Sequence, residues 1–254
     1  MPLPVAFLLS ALVSAAGWRL RALDIGGALA AAGVGTMILA GTGWAGMAAL
    51  GAFFVSASWV SRRAPDRSAA LGAKGSTRDA WQVLANGGAA ALGALLPEAG
   101  LWVVSASLAT AAADTWATAV GGWSRREPRH ILTWTTVPAG TSGGVTLLGA
   151  VGAVAGALLV AAAASVVAGA PRLLAAACLI GPIGMLLDSL LGGTVQGRFH
   201  CDRCDAPTER VRHRCGADAR RVAGLAWLGN DGVNAAATGA AAVAGWLAWR
   251  LLGR

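Results

Sequence analysis

Mostly apolar runs with at most one charged residue, each about as long as a helix needs to cross hydrocarbon, recur along almost the whole chain. Eight can be separated, at residues 3–18, 22–40, 43–60, 80–96, 101–123, 143–169, 173–195 and 224–249. A bilayer core of about 30 Å takes roughly 20 apolar helical residues. The pattern therefore predicts an all-α, polytopic transmembrane bundle of about eight helices, with residues 1–254 forming a single integral membrane domain. The first run lacks the basic flank of a secretory signal and more spans follow it, so it reads as a retained helix.

Long and short connections alternate. The second, fourth and sixth are tight turns, whereas the third, fifth and seventh are long and polar. Cations follow the same rhythm. The odd-numbered loops carry Arg19 and Arg21; Arg62, Arg63, Arg67, Lys74 and Arg78; Arg125, Arg126 and Arg129; and Arg198, Arg203, Arg210, Arg212, Arg214, Arg220 and Arg221. That is 17 of the 20 Lys and Arg, which predicts that these loops face the cytoplasm beneath the inner or plasma membrane and that both termini lie outside.

Composition sharpens this picture. The chain is 56% hydrophobic and only 13% charged, with 36 Gly, and so takes lipid as its solvent. Gly33, Gly35, Gly41, Gly149, Gly152 and Gly156 suit close helix packing in that medium. A net charge of +8 reflects cytoplasmic Lys/Arg facing anionic headgroups and does not call for a nucleic-acid partner.

A carboxylate in hydrocarbon costs at least about 2.5 kcal/mol on insertion scales, which makes an intramembrane Asp a candidate for function. Asp114, Asp188 and Asp231 lie in three such runs, accompanied by the amides Asn86, Asn230 and Asn234. With the orientation above, each acid falls about six to nine residues inside the cytoplasmic end of its helix, roughly 9 to 14 Å deep at 1.5 Å per residue. Any one Asp is explained as well by a helix–helix hydrogen bond or a neighbouring Arg. As a set at one depth, they offer hard oxygen ligands suited to Mg²⁺ held between protein and phosphates.

Two loops carry candidate phosphate contacts. The run from Val137 to Gly144 leads into the sixth span, where Thr141 and Ser142 suit helix caps and the backbone of Gly143 and Gly144 suits close approach to an anion. Lys74 and Arg78 sit in the third loop, where a solvated basic loop is the plainer explanation. No Walker A pattern occurs, which excludes a P-loop enzyme.

The seventh loop, residues 196–222, holds Cys201, Cys204, His213 and Cys215. The spacing resembles a short zinc knuckle, in which tetrahedral Zn²⁺ orders a loop that has no core of its own. Unliganded thiols are the alternative, and a disulfide is disfavoured in a reducing compartment. Four protein ligands leave no open coordination position, so such a metal is structural. Cys178, in an apolar run, reads as a small buried hydrophobe, and His130 and His200 as surface residues.

Several short motifs together resemble the transmembrane protein 19 family of integral membrane proteins, which includes the phytyl-phosphate kinases of plants and cyanobacteria. They are Arg78-Asp79-Ala80 with Gln82 to Gly88, Ala113-Asp114-Thr115-Trp116-Ala117-Thr118, the Val137 to Gly144 run, Asp188-Ser189-Leu190-Leu191-Gly192 and Trp227 to Asn234. The likeness spans about Gly33 to Ala241. It implies phosphoryl transfer from a nucleoside triphosphate to an isoprenoid monophosphate, phytyl phosphate or a relative, in a membrane lipid environment. In that reading Asp114, Asp188 and Asp231 are catalytic and hold Mg²⁺, Asn86, Asn230 and Asn234 orient phosphate oxygens, Lys74 and Arg78 neutralise charge, and Thr141 to Gly144 cradle a phosphate. Where the family commonly has Glu after Asp-Thr-Trp-Ala-Thr, this chain has Ala119. The rival readings are a transporter or lipid flippase with a cytoplasm-facing acidic site, because intramembrane acids also mark transport pathways, and a catalytically silent scaffold.

Overall fold

The computed structural model describes residues 1–65 and 77–253. These form seven helices: α1 (Leu3–Arg19), α2 (Ile25–Arg63), α3 (Ala80–Gly93), α4 (Gly100–Gly121), α5 (Leu147–Ala168), α6 (Pro171–Thr194) and α7 (Asn230–Leu252). The mostly helical character matches the hydrophobic pattern. Among the described residues, α2, α5, α6 and α7 are long and apolar enough to cross a bilayer. The shorter α3 has 14 residues, about 21 Å at 1.5 Å per residue, less than the hydrocarbon thickness.

The 39 residues of α2 cover what the sequence divides into two spans. At Gly43 the backbone leaves the helical region, with φ 65° and ψ −152°, a conformation open to glycine. A Cβ on Gly35 would lie 3.8 Å from Leu50 Cδ2. In a straight helix those two positions would be about 22 Å apart, so the two halves of α2 fold back on one another.

Helix starts follow local capping chemistry. Asp24 accepts a hydrogen bond from Gly27 N at the head of α2. Asp79 and Gln82 form a reciprocal capping box at the head of α3, which gives the Arg78-Asp79-Ala80 motif a structural role. The head of α5 is capped by Thr146, whose Oγ1 accepts from Gly149 N. Helix therefore begins at Leu147, four residues later than the sequence suggests.

Central α4 touches α2, α3, α5, α6 and α7. Its residues Val103 to Ala113 are all buried, mostly Ala, Ser and Thr, so other helices and not lipid cover this stretch. Small residues set the close approaches. A Cβ on Gly149, Gly152 or Gly156 would meet backbone oxygens of α4 at 2.8 to 2.9 Å, and one on Gly41 would collide with Ala94 O. Gly35 abuts Ser10 of α1, whereas a Cβ on Gly33 would meet nothing within 4 Å among the described residues.

The long connections are not bare loops, as the hydropathy pattern suggests. β1 (Arg129–His130) pairs antiparallel with β2 (Gly144–Val145), and β3 (Arg198–Cys201) lies between β4 (Ala206–Thr208) and β5 (Arg220–Ala223). Basic segments gather at one end of the bundle. Arg62 Nη2 donates to Leu20 O, Thr77 Oγ1 donates to Arg21 O, and Ser142 Oγ donates to Glu209 Oε1.

Candidate functional site

α4 and α6 end, and α3 and α7 begin, at the end of the bundle where the basic segments meet. Asp114 follows the fully covered stretch of α4, and Asp188 lies near the end of α6 with 9% of its surface exposed. A cavity of about 2290 Å³ opens there, lined by Asp114, Asp188, Asp231, Asn86, Asn230 and Asn234.

Among the described residues, Asp188 Oδ2 and Asn234 Oδ1 are buried with no hydrogen-bond partner, and buried polar atoms as a rule have one. A pair of oxygen acceptors with no donor is suited to a cation. Asn86 is anchored otherwise, donating from Nδ2 to Gln82 O one turn earlier in α3. The equal depth expected of the three acids does not hold for Asp231. Strand β5 and the turn after it use up residues 220–229, so α7 starts at Asn230 and Asp231 lies in its first turn.

Arg78 is held by its backbone between α1 and α2: its N donates to Ala22 O and its O accepts from Asp24 N. Its guanidinium carbon sits 5.3 Å from the Phe53 ring centroid and 5.9 Å from that of Phe54, and Nη1 is buried without a hydrogen-bond partner among the described residues. Burial draws the group down to about 10, so it stays charged at neutral pH. This cation lines the same cavity as the acids. Lys74, its expected companion, lies outside the described residues.

Residues Thr141 to Gly144 also line the cavity, but as a turn and strand and not as the start of a helix, since Thr146 takes the cap. Thr141 Oγ1 donates to Pro138 O. Gly143 has φ +80°, and a Cβ there would come 2.6 Å from Gly193 Cα, so only glycine lets this turn close on the end of α6. Ser142 is tied to Glu209, an acid of the seventh loop that burial holds above its usual range while the hydrogen bond from Ser142 offsets part of that effect.

The four N/S ligands of that loop do converge. The ligand atoms of Cys201, Cys204, His213 and Cys215 all lie within 4.8 Å of one another and could hold a metal ion. Cys201 ends β3, Cys204 follows in the tight turn to β4, and His213 and Cys215 sit in the connection to β5. Cys201 Sγ is 3.6 Å from Cys215 Sγ, close to the roughly 3.8 Å that two sulfurs span in a tetrahedron with 2.3 Å Zn–S bonds. His213 Nδ1 lies 3.2 Å from Cys215 Sγ, and that contact draws the Cys215 thiol down to about 6. Cys204, hydrogen-bonded to Cys215, is pushed up to about 11. A thiol so lowered at Cys215 is a ready starting point for metal binding.

Sequence reasoning passes over Glu209, Arg210 and Arg214, all of which line the cavity. Their position between the cysteines of a compact sheet was the available signal.

A helical bundle with an acidic and amide-lined cleft at its basic end defines a polytopic integral membrane protein. The chain belongs to the family of integral membrane proteins DUF92, whose model matches residues 8–242. It is similar to an uncharacterised membrane protein, MJ0933, of Methanocaldococcus jannaschii, 30% identical over 176 residues that cover 68% of this chain and 74% of that one. It is also similar to Protein PGR of Arabidopsis thaliana, 28% identical over 263 residues covering 90% of each. No solved structure matches.

Proposed function

We propose that the protein is a membrane phosphotransferase that converts an isoprenoid monophosphate, such as phytyl phosphate, to its diphosphate with a nucleoside triphosphate. The observation that carries this reading is that Asp114, Asp188 and Asp231, from three helices, line one cavity in which buried acceptors lack donors among the described residues. In the transfer, an oxygen of the acceptor phosphate bonds to the γ-phosphorus, the bond from that phosphorus to the β–γ bridging oxygen breaks, and the nucleoside diphosphate leaves. Such chemistry needs mainly positioning and charge neutralisation.

The acids fit Mg²⁺, which when bound supplies the positive charge that phosphate oxygens need. Asn234 and Asn230 at the start of α7 and Asn86 on α3 are suited to orient those oxygens, and Arg78 adds a desolvated cation. With the basic end of the bundle in the cytoplasm, a lipid phosphate reaches the cleft while its tail stays in hydrocarbon. A structural zinc on the Cys/His cluster belongs to the same reading.

The test is a transfer assay. Purified protein in detergent is given phytyl phosphate or shorter isoprenyl phosphates, Mg²⁺ and each nucleoside triphosphate in turn, alongside Asp114→Asn and Asp188→Asn. Diphosphate formation that both variants abolish is the expected result. Undiminished turnover in the variants removes the metal assignment, and no turnover with any donor favours a transporter or flippase.

A further inference from the structure

Between its metal ligands the seventh loop carries Arg203, Arg210, Arg212 and Arg214, and the second and fourth of these reach the cleft. Arg214 is flanked on both sides by ligands, in the run His213-Arg214-Cys215, and Arg210 precedes His213 by three residues. Both line the cavity that holds Asp114 and Asp188, and both are exposed. The segment that bears them is pinned at its two ends. On one side Glu209 accepts a hydrogen bond from Ser142, and Arg210 N donates to Thr208 Oγ1. On the other, His213 N donates to Ala217 O and Arg212 Nε donates to Gly216 O.

The two ends differ in what holds them. Glu209 is bound to the bundle through Ser142. The far end rests on short turns and the bridge of Arg212 to Asp218, among exposed and half-buried residues, where local hydrogen bonds alone give little rigidity. Four ligand atoms within 4.8 Å of one another supply the missing constraint once a tetrahedral ion joins them. Arg214 cannot shift without moving His213 or Cys215.

We infer that Arg210 and Arg214 bind the polyphosphate chain of the soluble phosphoryl donor, and that the Cys/His metal centre acts as the positioning device that presents them to the cleft. This rests on the phosphotransferase reading for the identity of the donor. The division of labour follows from location: the acids sit at helix ends where a lipid phosphate arrives from the bilayer, whereas the arginines sit on the wall that faces water. A guanidinium pairs with phosphate oxygens through two parallel N–H donors, and so gains from being held in a fixed direction.

Full-length protein in lipid nanodiscs, titrated with tripolyphosphate in excess Mg²⁺, tests the inference. Arg210→Gln and Arg214→Gln should each weaken binding about tenfold, the loss of one charge-assisted contact, with zinc content unchanged. Cys204→Ser should lose zinc and weaken binding as much as the double arginine variant, with the helical circular dichroism signal retained. Should that variant fail to fold, chelation of zinc from the wild type gives the same comparison, and re-added zinc restores affinity. Unaltered tripolyphosphate affinity in the double arginine variant overturns the inference, as does an arginine-dependent affinity that survives zinc removal. Zinc- and arginine-dependent tripolyphosphate binding without isoprenyl diphosphate formation sinks the kinase reading and the donor's identity with it, and leaves standing the polyphosphate site that the metal centre positions.

Discussion

Ser142 donates a hydrogen bond to Glu209 across 67 residues of sequence, joining the turn before α5 to the sheet that follows α6. The link is the seam between the helical bundle and its metal-ligand loop, and it bridges two walls of one cavity.

Its pH dependence is predictable in sign. Burial raises the Glu209 carboxyl above its usual value, so the folded chain holds this proton over a window in which the unfolded chain has released it. Stability from this group is present below the ordinary Glu value and is lost as pH rises through the raised one. Glu209→Gln, which cannot ionise, should gain in melting temperature relative to wild type as pH rises from 4 to 7. A difference that is flat across that range would contradict the assignment.

Gly143→Ala places a Cβ at φ +80° and 2.6 Å from Gly193 Cα. Left-handed backbone strain and overpacking each cost on the order of 1–3 kcal/mol. A lowered melting temperature together with weakened Mg²⁺ binding is expected, because the turn closes on the helix end that carries Asp188.

Within the bundle, Gly152→Leu should destabilise by about 1–3 kcal/mol or more, since a Cβ there already meets Trp116 O and the Val120 side chain at 2.8 Å. Gly33→Leu, at a position with open space around it, should be nearly neutral. Thermal unfolding of the two variants in one detergent makes the comparison.

Metal analysis of purified protein should find one zinc per chain. Cys201→Ser and Cys204→Ser should each lose it, because removing one of four ligands from a closed tetrahedral site costs most of its affinity. Full zinc occupancy in either variant would show that the converging cluster is not the site.

What the amino-acid pattern makes legible is the membrane bundle and the identity of the converging polar residues. Asp114, Asp188, Asn86 and Asn234 are visible because a polar side chain in an apolar run has a large transfer cost and so needs a reason. Cys201 to Cys215 are visible because ligand spacing in a short loop is a strong constraint. The connections are less legible. Gly143 to Thr146 read as more helix, because hydropathy does not separate a two-residue strand and a Thr146 cap from the apolar turn that follows. The late start of α7, which brings Asp231 to the helix mouth, depends on β5 pairing with β3, a contact between residues about twenty positions apart that no local signal reports. Glu209 and Arg214 gain their place only through that sheet.

The central claim is that Asp114, Asp188 and Asp231 share one cation at the basic end of the bundle. Electron paramagnetic resonance of Mn²⁺, substituting for Mg²⁺ in nanodisc-embedded protein, measures it directly. One ion per chain, displaced by Mg²⁺ and lost alike in Asp114→Asn, Asp188→Asn and Asp231→Asn, is the predicted result, whereas Mn²⁺ affinity indifferent to all three substitutions would contradict the account.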